Sequence, residues 1–394
     1  MKKEIKIYFA ILALTAFGLG LTNNVISNFF KDAYQVTAYQ RGFLEFPREL
    51  PGLISVFVIA ALSFLSDIRI SIISQVLSVI GIIALGIYTP SFNIMIIYIF
   101  INSLGMHLFF PLQDSIGMEL AEKDNIGKRL GQFKGFFTGV QMLASIFVFI
   151  GFKAGFMSFE TPIKTPFIIA GVLFFGVLVL LIMLDRIVRV NHPHVKQSGY
   201  VFRKEYKYYY VLVILFGVQK QIMMVYGPWV LIELLSKKAD TISILTVIGS
   251  FIGIFFIPAI GKWLDTYGVK KLMYVDALSF IGVYLVYGLL AMGYVNGSIK
   301  TAGIGMLLAY AIFIIDRMST QMGIVRTLYL RKIALKPSDV TPTLTLGQSM
   351  DHFVSIICAY LGGIIWVAWG PQYIFFLAAG FSLINLYVAY KIEV

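Results

Sequence analysis

The chain has 394 residues, 59% of them hydrophobic and 13% charged, with a net charge of +12 and a mean hydropathy of +0.85. A soluble domain of this length could not keep such a surface in water, and runs of about 20 apolar residues recur, the length that crosses a hydrocarbon core about 30 Å thick. Lipid offers no partner for backbone polar groups, so the runs are read as helices; a β-barrel would need short alternating segments instead.

In chain order the predicted spans lie at about 7–30, 42–65, 70–89, 93–118, 131–151, 167–184, 209–235, 241–261, 272–292, 302–328, 341–367 and 372–390. The fold class is therefore an all-α polytopic membrane protein with twelve transmembrane helices. The first run follows MKKEIK and lacks a small-residue cleavage site, so it is read as a retained span. Between the sixth and seventh spans lies the longest internal polar segment, Asp185 to Lys207, with six Lys and Arg residues. It divides the chain into a six-helix bundle over 1–184, a basic linker over 185–208 and a second bundle over 209–394. With the N-terminus inside, most Lys and Arg fall on the cytoplasmic side, which gives cytoplasmic termini and an inner (plasma) membrane location. Trp229, Trp263, Trp366 and Trp369 sit towards span ends, where an aromatic belt belongs. The basic excess thus reads as a cytoplasmic layer against anionic lipid, not as a nucleic-acid surface. Cys358 is the only cysteine, so neither a disulfide nor a thiolate metal site is expected.

The halves echo each other: Leu130-Gly131-Gln132 opens span 5, and Leu346-Gly347-Gln348 recurs early in span 11. Parallel repeats of this kind place a substrate site near the midplane between them. The loop between spans 8 and 9 reads Gly261-Lys-Trp-Leu-Asp265-Thr-Tyr-Gly268-Val-Lys270-Lys271. Two antiparallel helices must turn there within a few residues, which suits glycine. An acid there can cap a neighbouring helix N-terminus, and the lysines stay in the cytoplasmic layer. The loop resembles the signature loop of the major facilitator superfamily (MFS). It departs from that pattern at Val269, where a basic residue is expected. The first-half equivalent, Ser63 to Ile70, keeps Asp67 and Arg69 without the glycines. Span 5 offers Gly131, Gly135 and Gly139 at four-residue spacing, read as helix packing.

The resemblance implies the MFS fold, with spans 1, 4, 7 and 10 lining a central cavity. Ionisable side chains inside spans are costly and mark functional positions. Near mid-depth sit His107, Lys220 between Gln219 and Gln221, and Asp316-Arg317; Asn23, Asn24 and Asn102 add polar groups. Lys220 and Arg317 are two fixed cations facing one acid, Asp316, a balance that an anionic substrate completes. Arg317 and Gln321 share a helix face. Asp316 could instead pair with Lys220 and brace spans 7 and 10. Candidate substrate contacts are therefore Lys220, Arg317, Gln321, His107, Asn23, Asn24, Asn102 and Gln219. Candidate proton carriers are Asp316, the adjacent Asp351 and His352, and Glu45 with Glu49, one turn apart at the start of span 2. The alternative for that last pair is an ion-pair cluster with Arg48 at a gate. Gate residues implied by the signature loops are Gly261, Asp265, Gly268, Lys270, Lys271, Asp67 and Arg69, with Arg48.

The resemblance points to a secondary active transporter of a small solute, an organic anion or zwitterion, by alternating access with proton coupling. A multidrug or lysolipid exporter of the same fold is the alternative. A non-transporting sensor or embedded enzyme is a further one, although the chain has no HExxH, Gly-x-Ser-x-Gly or phosphate loop, and His192 and His194 in the central loop are too few for a metal site. No cofactor is expected beyond a proton or sodium gradient. The expected partners are a small-molecule substrate and membrane lipids, with a monomer as the working unit.

Overall fold

The computed structural model describes residues 3–62, 64–120, 126–188, 202–336 and 339–393, and all regular structure within them is helical. The elements are α1 (Lys3–Tyr34), α2 (Ala38–Phe43), α3 (Glu45–Ala61), α4 (Asp67–Ile87), α5 (Phe92–Leu120), α6 (Ile126–Lys153), α7 (Thr165–Ile187), α8 (Lys207–Trp229), α9 (Ala239–Val295), α10 (Ile304–Gln321), α11 (Ile324–Ile333), α12 (Val340–Ala368) and α13 (Pro371–Lys391). Most of the predicted basic linker, residues 189–201 with His192 and His194, lies outside the described residues.

Among the described residues, ten helical stretches are long and apolar enough to cross a membrane. The two further predicted spans correspond to α3, which has 17 residues, and α10, which has 18 and carries Asp316 and Arg317. The protein is an all-α, multi-pass membrane protein.

Local chemistry explains where the helices stop. Thr37 and Gln40 close a capping box around the start of α2, and Ser66 accepts the Arg69 amide at the start of α4. Pro228 removes a backbone donor near the end of α8, which runs on into one π turn at Val230–Leu234. Predicted spans 8 and 9 are the two arms of α9, broken at Gly268 with φ of 79° and ψ of 168°. A side chain there would strain the backbone, so the glycine of the signature loop has a steric reason. Val269 is buried in the core of its bundle, which accounts for an apolar residue where a basic one was expected. Predicted span 10 is divided at Met322-Gly323, where 3₁₀-type bonds from Met322 N to Ser319 O and from Gly323 N to Thr320 O replace the α ladder.

The chain forms two compact units. The first comprises Met1–Gln35, Pro47–Lys196 and Ala239–Ile244. In it, α4 packs on α5 and α7, and α1 packs on α6 and α7. A Cβ at Gly105 would meet the Ser74 carbonyl and Ser78, and one at Gly81 would meet Tyr98 O, so these are the glycines that let α4 and α5 close. The spacing of Gly135 and Gly139 suggested the same role, but nothing lies within 4 Å of a Cβ at either. They do not serve a helix contact here.

The second unit comprises Val36–Phe46, Gln197–Lys238 and Leu245–Val394. Here α8 packs on α12 and α13, and α2 packs on α12. Trp229 is fully buried, and Trp366, nearly so, stacks on Tyr226 at 5.8 Å. These two tryptophans therefore fill the core; Trp263 and Trp369 are the exposed pair.

Candidate functional site

In the second unit, three consecutive residues of α8 point three ways, because each is turned about 100° from the last. Gln219 faces α13 and is fully buried. Its Nε2 donates to Ser382 Oγ at 2.5 Å, its Oε1 accepts from Asn385 Nδ2 at 3.2 Å, and its carbonyl accepts from Tyr284 at 2.8 Å. These bonds brace α8 against its neighbours. Gln221, also fully buried, donates from Nε2 to Glu45 Oε2 at 3.0 Å. Lys220, between them, gives its ammonium to Asp351 Oδ2 of α12. Its partner is thus Asp351 and not Asp316.

The accessibility of this pair sets it apart. The side chains of Lys220 and Asp351 keep 23% and 16% of their surface, whereas a second ion pair in the same unit, Arg326–Asp276 at 2.6 Å, keeps 4% and 5%. Gly217, one turn before Lys220, makes room for the carboxylate; a Cβ there would come 2.6 Å from Asp351 Oδ1. His352, next to Asp351, is partly exposed.

On α10, Asp316 is buried and Arg317 is partly buried. Among the described residues neither forms an ion pair. The guanidinium of Arg317 lies 5.1 Å from the Phe313 ring centroid, its Cβ–Cγ stem lies against Gly249, and Gln321, one turn on, is exposed. The two neighbours diverge as helix periodicity demands.

Segment 36–46 belongs to this unit too. Arg41 and Glu45, one turn apart, form an ion pair at 2.5 Å and are almost completely buried. With Gln221 they make a closed polar knot. Beside it, Tyr226 donates to the Ala359 carbonyl, and a Cβ at Gly42 would collide with that same carbonyl and lie 2.5 Å from the Tyr226 hydroxyl. The carboxylate of Glu45 is therefore held by donors on two sides and sealed. This is an anchoring role for a group considered as a proton carrier. Tyr39 and Tyr360 hydroxyls meet at 3.0 Å, and that bond raises the pKa of Tyr39.

In the first unit, Asn24 bridges α1 to α6 through Ser145 Oγ at 2.8 Å, and Asn102 bridges α5 to α4 through Ser78 O at 3.0 Å. Both amides serve helix packing. Asn23 is exposed. His107 is partly exposed and lies 2.9 Å from Ser103 O through Nδ1, while Ser103 Oγ donates to the Arg48 carbonyl at 2.5 Å. Arg48 and Glu49 are half-buried on α3. Arg69 reaches Asp185 at 3.3 Å and ties the start of α4 to the end of α7; Asp67 sits in the same first turn.

In the second signature loop, Lys270 donates to Tyr390 O at 3.2 Å. Asp265 and Lys271 are exposed, and Gly261 sits inside the first arm of α9. Because the first arm of α9 runs helically to Gly268, Asp265 lies in the last turn of that arm and makes no capping bond among the described residues.

Two buried arginines escaped the sequence reading. Arg326 lies inside predicted span 10, and the cost of an intramembrane charge was itself a signal. Arg41 falls just before predicted span 2, where the boundary hid its four-residue spacing to Glu45. At the loop before α12, Asp339 accepts from Tyr206 at 2.8 Å and from Arg203 at 2.8 Å, and these donors hold its carboxyl below its ordinary range.

The sequence profile of the Major Facilitator Superfamily matches residues 8–334. Among solved structures, the nucleoside transporter NupG resembles this chain with a TM-score of 0.77 at 14% identity, covering 100% of both chains. A bacterial homologue of the iron transporter ferroportin in its inward-facing state gives 0.76 at 12%, covering 99% of each. A D-xylose-proton symporter gives 0.68 at 15%, covering 98% of this chain and 96% of its own. No curated protein matches the sequence.

Proposed function

The chain belongs to the Major Facilitator Superfamily, and from that premise we propose that it is a proton-coupled secondary transporter of a small organic anion or zwitterion, working by alternating access. The observation that carries this reading is the Lys220–Asp351 pair. Charges inside a span are kept where they pair or meet a cavity, and this pair does the first while remaining partly open, unlike the sealed Arg326–Asp276 pair. An anionic substrate group would compete with Asp351 for Lys220. The released carboxylate, with His352 beside it and Asp316 on α10, offers groups to take a proton in exchange. By their names the structural neighbours are a nucleoside transporter, a bacterial homologue of an iron transporter and a D-xylose-proton symporter, which is compatible with this reading at the level of the fold. The proposed location is the inner (plasma) membrane with both termini cytoplasmic.

The test is thermal stability of the purified protein against organic anions, zwitterions, sugars, lysolipids and lipophilic cations. A ligand at about 100 times its Kd adds about 2.7 kcal/mol to the folded state. Stabilisation by an anion that is lost in Lys220→Ala is the expected result. An equal shift in that variant refutes Lys220 as anchor, and stabilisation by lipophilic cations alone replaces the reading with a multidrug exporter. Uptake of the stabilising ligand into proteoliposomes with and without an imposed pH gradient then tests the coupling; uptake indifferent to the gradient removes the proton.

A further inference from the structure

The turn of α8 from Phe216 to Lys220 has charge on two sides. On one side Lys220 holds Asp351 Oδ2. On the other, the guanidinium of Arg326 lies over the Phe216 ring, 4.1 Å from its centroid, and donates from Nη2 to Asp276 Oδ2 at 2.6 Å. Each pair leaves atoms unused. Arg326 Nε and Nη1 are sealed donors with no acceptor, and Asp351 Oδ1 is a sealed acceptor with no donor. Buried polar atoms in native structures are paired nearly without exception, so such a set asks for an explanation.

The geometry supplies one. Asp351 Oδ1 rests against Gly217, and Gly217 is the chain neighbour of Phe216, on which Arg326 is stacked. No side chain exists at position 217 to stand between them. A guanidinium has five donors in a planar fork, so it can keep Asp276 on Nη2 while another edge takes a second carboxylate; an ammonium has no such fork.

We propose that Arg326 is a positioning residue, the second counter-ion of Asp351: when Lys220 turns from Asp351 to an anionic substrate group, Arg326 gives its unused Nε–Nη1 edge to Asp351 Oδ1. Lys220 can then leave without stranding a carboxylate whose Oδ1 is sealed from solvent. The functional half of this statement rests on the reading of Lys220 as the anion contact; the structural half does not.

The experiment compares the effect of Lys220→Ala on the melting temperature of the purified full-length protein in two backgrounds, the natural one and Asp276→Asn/Arg326→Gln. With Arg326 present, Lys220→Ala lowers Tm by about 2 °C; without it, Asp351 has no cation and the fall is about 6 °C. Adding Asp351→Asn abolishes the excess, a non-additivity that passes through a residue neither substitution touches. Equal falls in both backgrounds overturn the proposal, as does an excess that survives Asp351→Asn. If the neutral-pair background does not fold, a structure of Lys220→Ala alone decides. A guanidinium nitrogen within about 4 Å of the Asp351 carboxylate supports the exchange, and an Arg326 still bonded to Asp276 alone refutes it. Neither readout uses substrate, so a negative result here leaves the ligand-induced Tm shift of the transport reading standing on its own.

Discussion

The sealed pair Arg326–Asp276 allows a quantitative prediction. Its two charges attract by about 4 kcal/mol at a separation of about 4 Å and an effective dielectric of about 20. Against this stand three sealed atoms without partners, Arg326 Nε and Nη1 and Asp276 Oδ1, each costing about 1 kcal/mol or more. The pair as a whole therefore contributes close to nothing, whereas half of it is expensive. Arg326→Gln leaves the Asp276 carboxylate buried without its cation and should cost about 3–5 kcal/mol, a fall of roughly 6–10 °C at about 2 °C per kcal/mol for a chain of this size. Adding Asp276→Asn should return the protein to within about 1 kcal/mol of the natural one, since two amides of similar volume replace the pair. Asp276→Asn alone should cost less than Arg326→Gln if, as proposed above, the freed guanidinium turns to Asp351. The assay is a melting curve in detergent for the four proteins of the cycle. A double variant as unstable as the sum of the singles would refute the reasoning, for it would mean that the pair is worth its full Coulomb energy.

Gly42→Ala should destabilise by about 1–3 kcal/mol through overpacking against Ala359 O and Tyr226, while Gly135→Ala, with open space around its Cβ, should raise helix stability by up to about 1 kcal/mol; melting curves showing the reverse order would discredit the packing assigned to both. Asp339 has a folded pKa below its unfolded one, chiefly through the Tyr206 hydroxyl and then Arg203, so its contribution is present above the ordinary carboxylate range and is lost as pH falls through the depressed value. Stability between pH 7 and 3 should consequently fall less in Asp339→Asn than in the natural protein, and parallel pH curves for the two would rule the clamp out.

What the sequence made legible followed from length and cost. A run of about 20 apolar residues has little choice but to be a helix in lipid, and the glycine of the loop between spans 8 and 9 had to sit where α9 breaks. The interior charges were legible as a set for the same reason, since none is cheap. Their pairing was not. Lys220 was weighed against Asp316 because both lie near mid-depth of adjacent predicted cavity helices, yet depth says nothing of azimuth, and Lys220 turns towards α12. Gln219 and Asn102 carry the same residue types that a ligand site would use. Only their neighbours, Ser382 and Asn385 for one and Ser78 O for the other, show that these amides are spent within the bundle. The break at Met322-Gly323 was hidden because an apolar run continues across it.

The divergence of these partners has a physical root in α8. The sequence Gln219-Lys220-Gln221 reads as one polar patch, but a helix separates consecutive residues by about 100°, so the patch is three different surfaces. The two amides fix α8 rotationally, one to α13 and one to Glu45 at the start of α3. That sets the azimuth from which the Lys220 side chain leaves α8, on the side of α12. A mobile cation is useless as a selective anion contact, because its side-chain entropy would be lost at each binding event. A cation with a fixed stem and two alternative acceptors loses little. On the transport reading, the buried amides that look idle as ligands would hold the one accessible charge of this turn where it can exchange a carboxylate of the protein for an anion from outside.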